Sequence, residues 1–283
     1  MKIGIIKNKK KEQCDFYAEK LEQAFIARGA EVTCGEQSEK DKAIYDSADI
    51  IISIGGDGTF LRVAANTIER RVPVFGFNLG TLGFLTEFDK NNIDETVEKI
   101  IKGDYSIEER RVLAVSILSE GGEKKEFLGY ALNDCVVSRE VLTNVAYLKL
   151  FINEIPVDTY PCDGIIVATQ TGSTAYSLSA GGPVIEPGND VVLITPVASH
   201  SMGSRSIVAR PESSVKIQPV EKNKSMCVIL DGHLSRSLKH GDVVCCENTD
   251  RKVRIVRIDP PNFYTTVTTK LFDRGNSARE QKD

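Results

Sequence analysis

The sequence predicts an α/β domain followed by a β-rich domain, and a change of rhythm near residue 110 carries this prediction. Before that point, short apolar runs alternate with amphipathic segments, as in βα units around a mainly parallel sheet. After it, short β-type runs follow closely, with Gly, Pro and Asp between them, which is typical of a mostly β domain. We expect domains over residues 1–110 and 111–260, and a C-terminal segment, 261–283, that is a candidate to return to the first domain.

The elements of the predicted α/β domain follow one another along the chain. Apolar runs predict strands at residues 3–6, 31–34, 49–54 and 72–79. Apolar residues at helical spacing predict helices over residues 11–28, 61–68 and 93–101. Gly29 is placed to end the first of these helices.

The predicted β-rich domain is a series of short apolar runs. They lie at residues 113–118, 146–152, 164–168, 191–195, 215–218, 226–230, 243–246 and 253–258. The final residues, 275–283, are polar and are expected to fray.

Composition excludes several classes of protein. In 283 residues, 41% are apolar and 27% charged, which is ordinary for a folded globular chain. The net charge is −4 and the basic residues are scattered, so we expect no nucleic-acid partner. No apolar run is long enough to span a bilayer and the first residues do not resemble a signal peptide, so we expect a cytoplasmic protein without a membrane partner.

The cysteines and histidines give little support to a metal site. The seven cysteines include no Cys-x-x-Cys pair and read as reduced thiols. The three histidines are not spaced with cysteines as zinc ligands. We therefore expect no metal held by the protein itself.

A glycine-rich turn between a buried strand and a helix is the strongest local signal; its residues are Gly55, Gly56, Asp57, Gly58 and Thr59. Glycines let phosphate oxygens approach main-chain N–H groups, and a helix start favours negative charge. Asp57 would be repelled by phosphate unless it binds a cation or a reacting hydroxyl, so we interpret it as catalytic. The alternative is an Asx-type turn at a strand end.

A second glycine-rich segment, residues 78–85, follows the next predicted strand. It is either a tight turn with Phe84 and Leu85 in the core or part of a ligand site. Ligands of open α/β sheets gather beyond the carboxyl ends of strands, so two such turns can face one crevice.

A long run rich in Gly, Ser and Thr, residues 163–183, follows a β-type segment and offers hydroxyls, open N–H groups and an aromatic face. A ligand cradle is the favoured interpretation over a flexible loop, because Tyr176 and Leu178 are unlike linker residues. Upstream, Asn133 and Asp134 interrupt an apolar stretch and need polar partners, either in a turn or bulge or on a ligand.

Taken together, these motifs resemble the NAD kinase family, over nearly the whole chain and in the correct order. The glycine-rich turn at 55–59, the Asn133–Asp134 pair and the run at 163–183 each match a family motif. Residues 78–86, Arg110–Arg111 and Asp231–Gly232 also stand where the family has similar residues. The Gly-Gly-Asp-Gly turn alone is less specific, because diacylglycerol, sphingosine and phosphofructo kinases share it.

The resemblance implies a Rossmann-like N-terminal domain, a β-rich C-terminal domain, a site between them and a homodimer or homotetramer. It implies that Asp57 activates the acceptor hydroxyl and that Asp163 helps to bind the nucleoside end of NAD opposite the adenosine. The NAD adenosine and ribose would be held by Asn133, Asp134, Thr174, Ala175, Tyr176 and Ser179, with Thr171 in the same run. The substrates would be NAD and ATP or polyphosphate, the donor accompanied by Mg²⁺.

One residue departs from the family pattern. Gln170 stands where the family usually has proline, so that turn is expected to be less pre-organised. Two other functions remain open from the sequence: a lipid or sugar kinase that uses the same glycine-rich turn, and a dinucleotide sensor without catalysis.

Overall fold

The structure is a computed structural model that describes residues 1–8, 12–36, 41–80, 83–87, 92–122, 124–141, 145–220, 225–258 and 263–273. The chain forms two compact units. The first unit combines residues 1–109 with the chain from Val253 onward, and the second unit is residues 110–252.

Strands and helices alternate in the N-terminal part of the first unit. They are β1 (Lys2–Lys7), α1 (Glu12–Ile26), β2 (Glu31–Gly35), α2 (Lys42–Ser47), β3 (Ile50–Ile54), α3 (Asp57–Ala65), β4 (Val74–Phe77), α4 (Ile93–Lys102) and β5 (Ser106–Arg111).

The second unit is almost entirely β-structure. Its strands are β6 (Leu113–Leu118), β7 (Lys125–Ala131), β8 (Asp134–Arg139), β9 (Ala146–Ile152), β10 (Ile155–Cys162), β11 (Gly164–Thr169), β12 (Val192–Val197), β13 (Ile207–Ala209), β14 (Val215–Pro219), β15 (Met226–Leu230), β16 (Leu234–Leu238) and β17 (Val243–Glu247). After β11 the chain makes a 3₁₀ turn, Thr171–Thr174, and a short helix, α5 (Tyr176–Ser179).

The chain then returns to the first unit. The returning elements are β18 (Lys252–Arg257), α6 (Phe263–Val267) and a π-helical turn, Thr268–Asp273.

One six-stranded sheet organises the first unit, in the order β2-β1-β3-β4-β18-β5. The recorded pairs among β1, β2, β3, β4 and β18 are parallel. Leu21 and Phe25 of α1 and Ile100 of α4 pack in one buried cluster with strand residues such as Ile5 and Ile52. Burial of this apolar face stabilises the sheet. Because β3 and β4 pair in parallel, their carboxyl ends lie at the same edge.

The position of β18 corrects one prediction. The run at 253–258 was expected in the β-rich domain, but β18 lies inside the first sheet, between β4 and β5. Val253, Ile255 and Val256 are fully buried there. A short apolar run suits an interior strand of either kind of sheet, so the sequence pattern does not distinguish them. The return to the first unit thus begins at Val253, before the expected boundary at residue 260.

The second unit is a sandwich of two six-stranded sheets, β10-β9-β14-β17-β6-β7 and β13-β12-β11-β8-β15-β16, whose recorded pairs are antiparallel. Val115, Leu148 and Leu150 of the first sheet share a buried core with Val137 and Ile165 of the second. The α/β and β-rich character of the two parts is as predicted.

The run rich in Gly, Ser and Thr lies against the outer face of the second of these sheets. Val136, Ile166, Ala168 and Leu193 form a buried cluster there, and Ala180 of the run packs against it. The run is therefore an ordered part of the unit. Among the described residues, no helix combines the length and the apolar character needed to cross a bilayer.

Candidate functional site

The glycine-rich turn of the first unit connects β3 to α3. β3 ends at Ile54, Gly56 caps the helix in an extended conformation, and Asp57 is the first helical residue. The N–H groups of a first helical turn have no partner within the helix, and the helix dipole adds positive potential there. The turn thus has the local structure of an anion site with a carboxylate at its start.

Close packing requires glycine at position 55, whereas Gly56 and Gly58 border open space. A Cβ on Gly55 would lie 2.5 Å from Thr59 Oγ1, a clash that only glycine avoids. A Cβ on Gly56 or Gly58 would meet no described atom within 4 Å. The backbone at these two positions is accessible, as a phosphate site requires. Thr59 is buried, and its Oγ1 accepts a hydrogen bond of 3.0 Å from Asn8 Nδ2.

The segment after β4 holds the Asp57 carboxylate. The N–H of Phe84 donates to Oδ2 at 3.1 Å, and the N–H of Leu85 donates to Oδ1 at 3.3 Å. Thr86 Oγ1 donates to Oδ1 at 3.0 Å and accepts from Asn78 Nδ2 at 3.0 Å. The two glycine-rich segments therefore meet at one carboxylate, which they fix in orientation.

Close approach at Gly83 makes this arrangement possible. A Cβ there would lie 2.0 Å from Asp57 Oδ1, so a side chain would displace the carboxylate. Leu85 is buried, as a tight turn implies, while its N–H faces Asp57. The segment therefore has the buried residue expected of a tight turn, and its backbone also holds the candidate catalytic carboxylate. Thr81 and Leu82 lie outside the described residues.

Sequence reasoning missed two basic residues from the returning part of the chain. Arg257, on β18, is buried; its Nε lies 2.8 Å from Glu108 Oε2, and its Nη1 donates to the Leu85 carbonyl at 3.3 Å. Lys270, in the π-helical turn, places Nζ 3.4 Å from Asp57 Oδ2. Arg257 thereby braces the segment that holds Asp57, and Lys270 gives the carboxylate a cation.

A cavity of about 490 Å³ lies in the second unit and collects several of the predicted ligand residues. Asn133, Asp134, Ala175 and Tyr176 line it. Its other lining residues are Val136, Ser138, Ile229, Asp231 and Gly232. Tyr176 is 46% exposed, so its ring is available to a ligand.

Asp231 fixes the backbone of the Asn133–Asp134 pair. Its carboxylate accepts the N–H groups of Leu132 at 2.8 Å, Asn133 at 2.7 Å and Asp134 at 3.0 Å. In return, the Asp231 N–H donates to the Asp134 carbonyl at 2.9 Å. The backbone of the polar pair is thus hydrogen-bonded, and both residues line the cavity.

Two acidic groups lie close together beside this cavity. Burial, and to a smaller extent the negative charge of neighbouring Asp231, raises the pKa of Asp134 to about 7. Burial also raises the pKa of Asp231, although its three backbone hydrogen bonds oppose the shift. Asp134 therefore changes charge near neutral pH.

Gly172 and Thr169 join the run at 163–183 to the Asn133 segment. A Cβ on Gly172 would lie 2.1 Å from the Asn133 carbonyl oxygen, so this contact requires glycine. The Thr169 N–H donates to the same oxygen at 2.9 Å, and Thr169 Oγ1 donates to the Leu132 carbonyl at 2.5 Å. These contacts align the Asn133–Asp134 pair with the run at 163–183, on the adjacent strands β8 and β11. The two segments are far apart in sequence, so no local pattern indicates the contacts.

Gln170 occupies the position expected for proline without disturbing the turn. Its φ is −57°, within the range that proline would impose. Its Nε2 donates to Asp190 Oδ1 at 2.9 Å, and Arg111 Nε donates to Asp190 Oδ2 at 2.5 Å. The hydrogen bonds to Asp190 therefore restrict this turn in place of the proline ring.

The remaining predicted residues lie outside the lining of the cavity. Asp163 pairs with Arg139 at 2.6 Å, and buried Thr171 accepts from Arg110 Nη1 at 3.2 Å. Thr174 Oγ1 donates to the Thr171 carbonyl at 3.3 Å, and Ser179 is exposed at the end of α5. Within the described residues, no group of three His, Cys, Asp or Glu is placed to hold a metal ion.

Comparison with known protein families identifies the family of this chain. Residues 36–105 match the family model described as the ATP-NAD kinase N-terminal domain, and residues 132–258 match the ATP-NAD kinase C-terminal domain. A protein from Acetivibrio thermocellus named NAD kinase is 34% identical over 99% of this chain and 100% of its own length. The chain belongs to the NAD kinase family.

Other members and solved structures agree over similar lengths. The NAD kinase of Caldicellulosiruptor saccharolyticus is 37% identical, covering 96% of this chain and 99% of that protein. The crystal structure of an NAD kinase from Archaeoglobus fulgidus in complex with ATP superimposes with a TM-score of 0.76 at 27% identity, over 90% of this chain and 93% of that one. A yeast NADH kinase complexed with NADH has the same fold, with a TM-score of 0.86 at 21% identity, over 95% and 86% of the respective chains.

Proposed function

We propose that the chain transfers a phosphoryl group from ATP or polyphosphate to the adenosine ribose 2′-hydroxyl of NAD and so makes NADP. Family membership along nearly the full chain supports the reaction class. The observation that carries the proposal in chemical terms is the Asp57 carboxylate, oriented at a helix start by three hydrogen-bond donors.

The proposed reaction needs positioning more than covalent chemistry. The hydroxyl oxygen bonds to the terminal phosphorus of the donor while the bond from that phosphorus to the leaving phosphate breaks. Asp57 accepts the hydroxyl proton late in the transfer and releases it to solvent after product leaves. Open backbone N–H groups at the start of α3 would bind phosphate oxygens.

The cavity of the second unit is the proposed nucleoside site. Its volume of about 490 Å³ lies within the ordinary range for small-molecule pockets. Asn133 and Asp134 supply amide and carboxyl groups for hydroxyl or amino donors, and Tyr176 supplies a ring face. We assign supporting roles to Thr171, Thr174 and Ser179, which shape the run beside the cavity, and a contact with the other nucleoside to Asp163.

The donor is proposed to arrive as a complex with Mg²⁺. The ATP complex of the Archaeoglobus fulgidus relative supports ATP as one donor. Mg²⁺ neutralises phosphate charge and belongs to the substrate in this scheme. An assay of NADP formation that crosses ATP and polyphosphate with NAD and NADH, with and without Mg²⁺, tests the donor, the acceptor and the metal together.

Asp57→Asn tests the catalytic assignment. The amide keeps the shape of the side chain but not the anionic proton acceptor, so turnover is expected to fall by roughly 10² to 10⁴ while the protein stays folded and still binds NAD. NADP formation and thermal unfolding are measured side by side. Asp94→Asn, at a carboxylate whose side chain is 84% exposed, is the matched control. Near-normal turnover of folded Asp57→Asn would refute the assignment.

We also propose that the enzyme is a homodimer or homotetramer in the cytoplasm. β10 is an edge strand, and its Ile155 and Val157 are 66% and 41% exposed, which suits contact with a second copy. Light scattering is expected to give a multiple of 31.1 kDa, and Ile155→Glu with Val157→Glu should shift the mass toward the monomer. A monomeric wild-type protein would contradict the proposal.

A further inference from the structure

The returning part of the chain brings a cation to the catalytic carboxylate. Lys270 Nζ lies 3.4 Å from Asp57 Oδ2 and 4.8 Å from the centre of the Phe84 ring. The Phe263 ring of α6 packs against Phe84 at 6.2 Å between centres, which fixes the start of this segment. Lys270 itself lies in a π-helical turn, a wide turn that is frequent at functional sites.

Lys270 occupies the last hydrogen-bonding position of the carboxylate. A carboxylate offers about four lone-pair positions, two on each oxygen. Oδ1 accepts from Leu85 and Thr86, and Oδ2 accepts from the Phe84 N–H. Lys270 takes the second position on Oδ2 at 3.4 Å, the longest of these contacts. A hydroxyl that is to give its proton to Asp57 needs this same position.

The negative charge of the phosphate donor attracts the Lys270 ammonium away from the Asp57 carboxylate. A chain of phosphates carries several negative charges and would sit at the start of α3, directly beside Asp57. Lysine has a flexible stem and three rotatable donors, so its head group, now 4.8 Å from the centre of the Phe84 ring, can move to another partner. Coulomb attraction then favours phosphate over a single carboxylate.

We propose that Lys270 binds the phosphate donor, and that its transfer from Asp57 to the donor phosphates frees Asp57 Oδ2 for the acceptor hydroxyl. The proposal rests on the proposed function and adds a step to it. Donor binding prepares the proton acceptor, so Asp57 is shielded by an ion pair when no donor is present.

Calorimetric titration with inorganic tripolyphosphate and Mg²⁺ tests the binding role without turnover. Lys270→Met keeps an unbranched side chain without the charge and is expected to bind tripolyphosphate about tenfold more weakly, the equivalent of one charge-assisted hydrogen bond. Lys270→Arg should keep most of the affinity. Lys102→Met, whose exposed ammonium pairs with Glu98, removes the same charge elsewhere and should leave the affinity unchanged. Equal affinity of wild type and Lys270→Met would overturn the proposal.

A double-mutant cycle with Asp57→Asn tests the exchange between partners. In the wild type, binding of the donor breaks the Asp57–Lys270 pair, which offsets part of the gain. In the Asp57→Asn background no ion pair is lost, so Lys270→Met should weaken tripolyphosphate binding by a larger factor than in the wild type. Equal factors in both backgrounds would refute the exchange.

Turnover assays separate this proposal from the proposed function. With wild-type NADP formation established, Lys270→Met should raise the KM for ATP more than the KM for NAD. If wild type made no NADP while Lys270→Met still weakened tripolyphosphate binding, the proposed function would fail and the phosphate contact would stand. A purely structural Lys270 would lower the unfolding temperature and leave both KM values of the folded variant unchanged. If Lys270→Met did not fold, Lys270→Gln would take its place, with the same outcomes deciding.

Discussion

At the scale of single residues, Asp57 and Asp134 are carboxylates in opposite environments. Asp57 is 30% exposed and its oxygens accept two backbone N–H groups and a threonine hydroxyl. Asp134 is buried beside a second acid, Asp231. The first environment holds a carboxylate in a fixed orientation, and the second raises the pKa of Asp134 to about 7.

The raised pKa of Asp134 predicts a specific dependence of stability on pH. Between its unfolded value of 3.8 and about 7, the folded protein binds the proton more tightly than the unfolded chain. The free energy of unfolding should therefore decrease as the pH rises through this window, by no more than about 4 kcal/mol. Asp134→Asn removes the titration, so thermal unfolding of this variant should lose less stability from pH 4 to pH 7. Parallel curves for wild type and variant would contradict the prediction.

Gln170 yields a second prediction at this scale. Its φ of −57° suits proline, which restricts the unfolded chain, but the exchange loses the hydrogen bond to Asp190. These effects are each about 1 kcal/mol and oppose one another. Gln170→Pro should therefore unfold within a few degrees of wild type, whereas Gln170→Gly should be clearly less stable. A large loss in the proline variant alone would show that the turn does not tolerate the family residue.

At the scale of elements, the junction between β8 and β15 depends on one carboxylate. Asp231, at φ +47°, follows β15 and collects three backbone N–H groups from the start of β8. Both of its oxygens are needed for these three bonds.

Asp231→Ala should therefore destabilise the protein by about 2 to 5 kcal/mol, because buried N–H groups are left without acceptors. Asp231→Asn should cost less, since asparagine tolerates a positive φ and retains one carbonyl oxygen. Denaturant unfolding measures both variants. An alanine variant as stable as the asparagine variant would show that the hydrogen bonds contribute little.

The parts of the site that the sequence predicts are those whose residues are close together along the chain. Glycine-rich turns after apolar runs marked Asp57 and the segment at 78–85, because their chemistry lies within a few adjacent residues. Lys270 is 213 residues from Asp57, and no local pattern joins them. A carboxylate beside phosphate calls for a cation, but the sequence does not identify Lys270 as that cation. Likewise, the ion pair between buried Arg257 and Glu108 depends on how β18 enters the sheet.

At the scale of the whole molecule, the second unit is one continuous segment and the first is not. The core residues of the sandwich, from Leu113 to Cys246, all lie within residues 110–252. The first sheet needs β18 between β4 and β5. Without it, Glu108 also loses its ion pair with buried Arg257.

Two fragments test this asymmetry. Residues 110–252 should fold alone and unfold cooperatively, as followed by circular dichroism, because the fragment keeps its entire core. Residues 1–109 should not reach a native sheet, because an interior strand is missing. A cooperative transition in the fragment of residues 1–109 would show that the sheet forms without β18.

The late position of β18 also sets an order of events during synthesis. Domains commonly fold from the N-terminus onward at about 5 to 20 residues added per second, so a ribosome needs roughly 10 to 40 s to pass from β3 to β18. Through that interval the parallel strands lack the interior neighbour β18, and the sandwich receives its own interior strand β17 only shortly before β18 is made. Lys270 emerges later still, so the surroundings of Asp57 are completed among the last events of translation, and a prematurely terminated chain carries the glycine-rich turn without its cation.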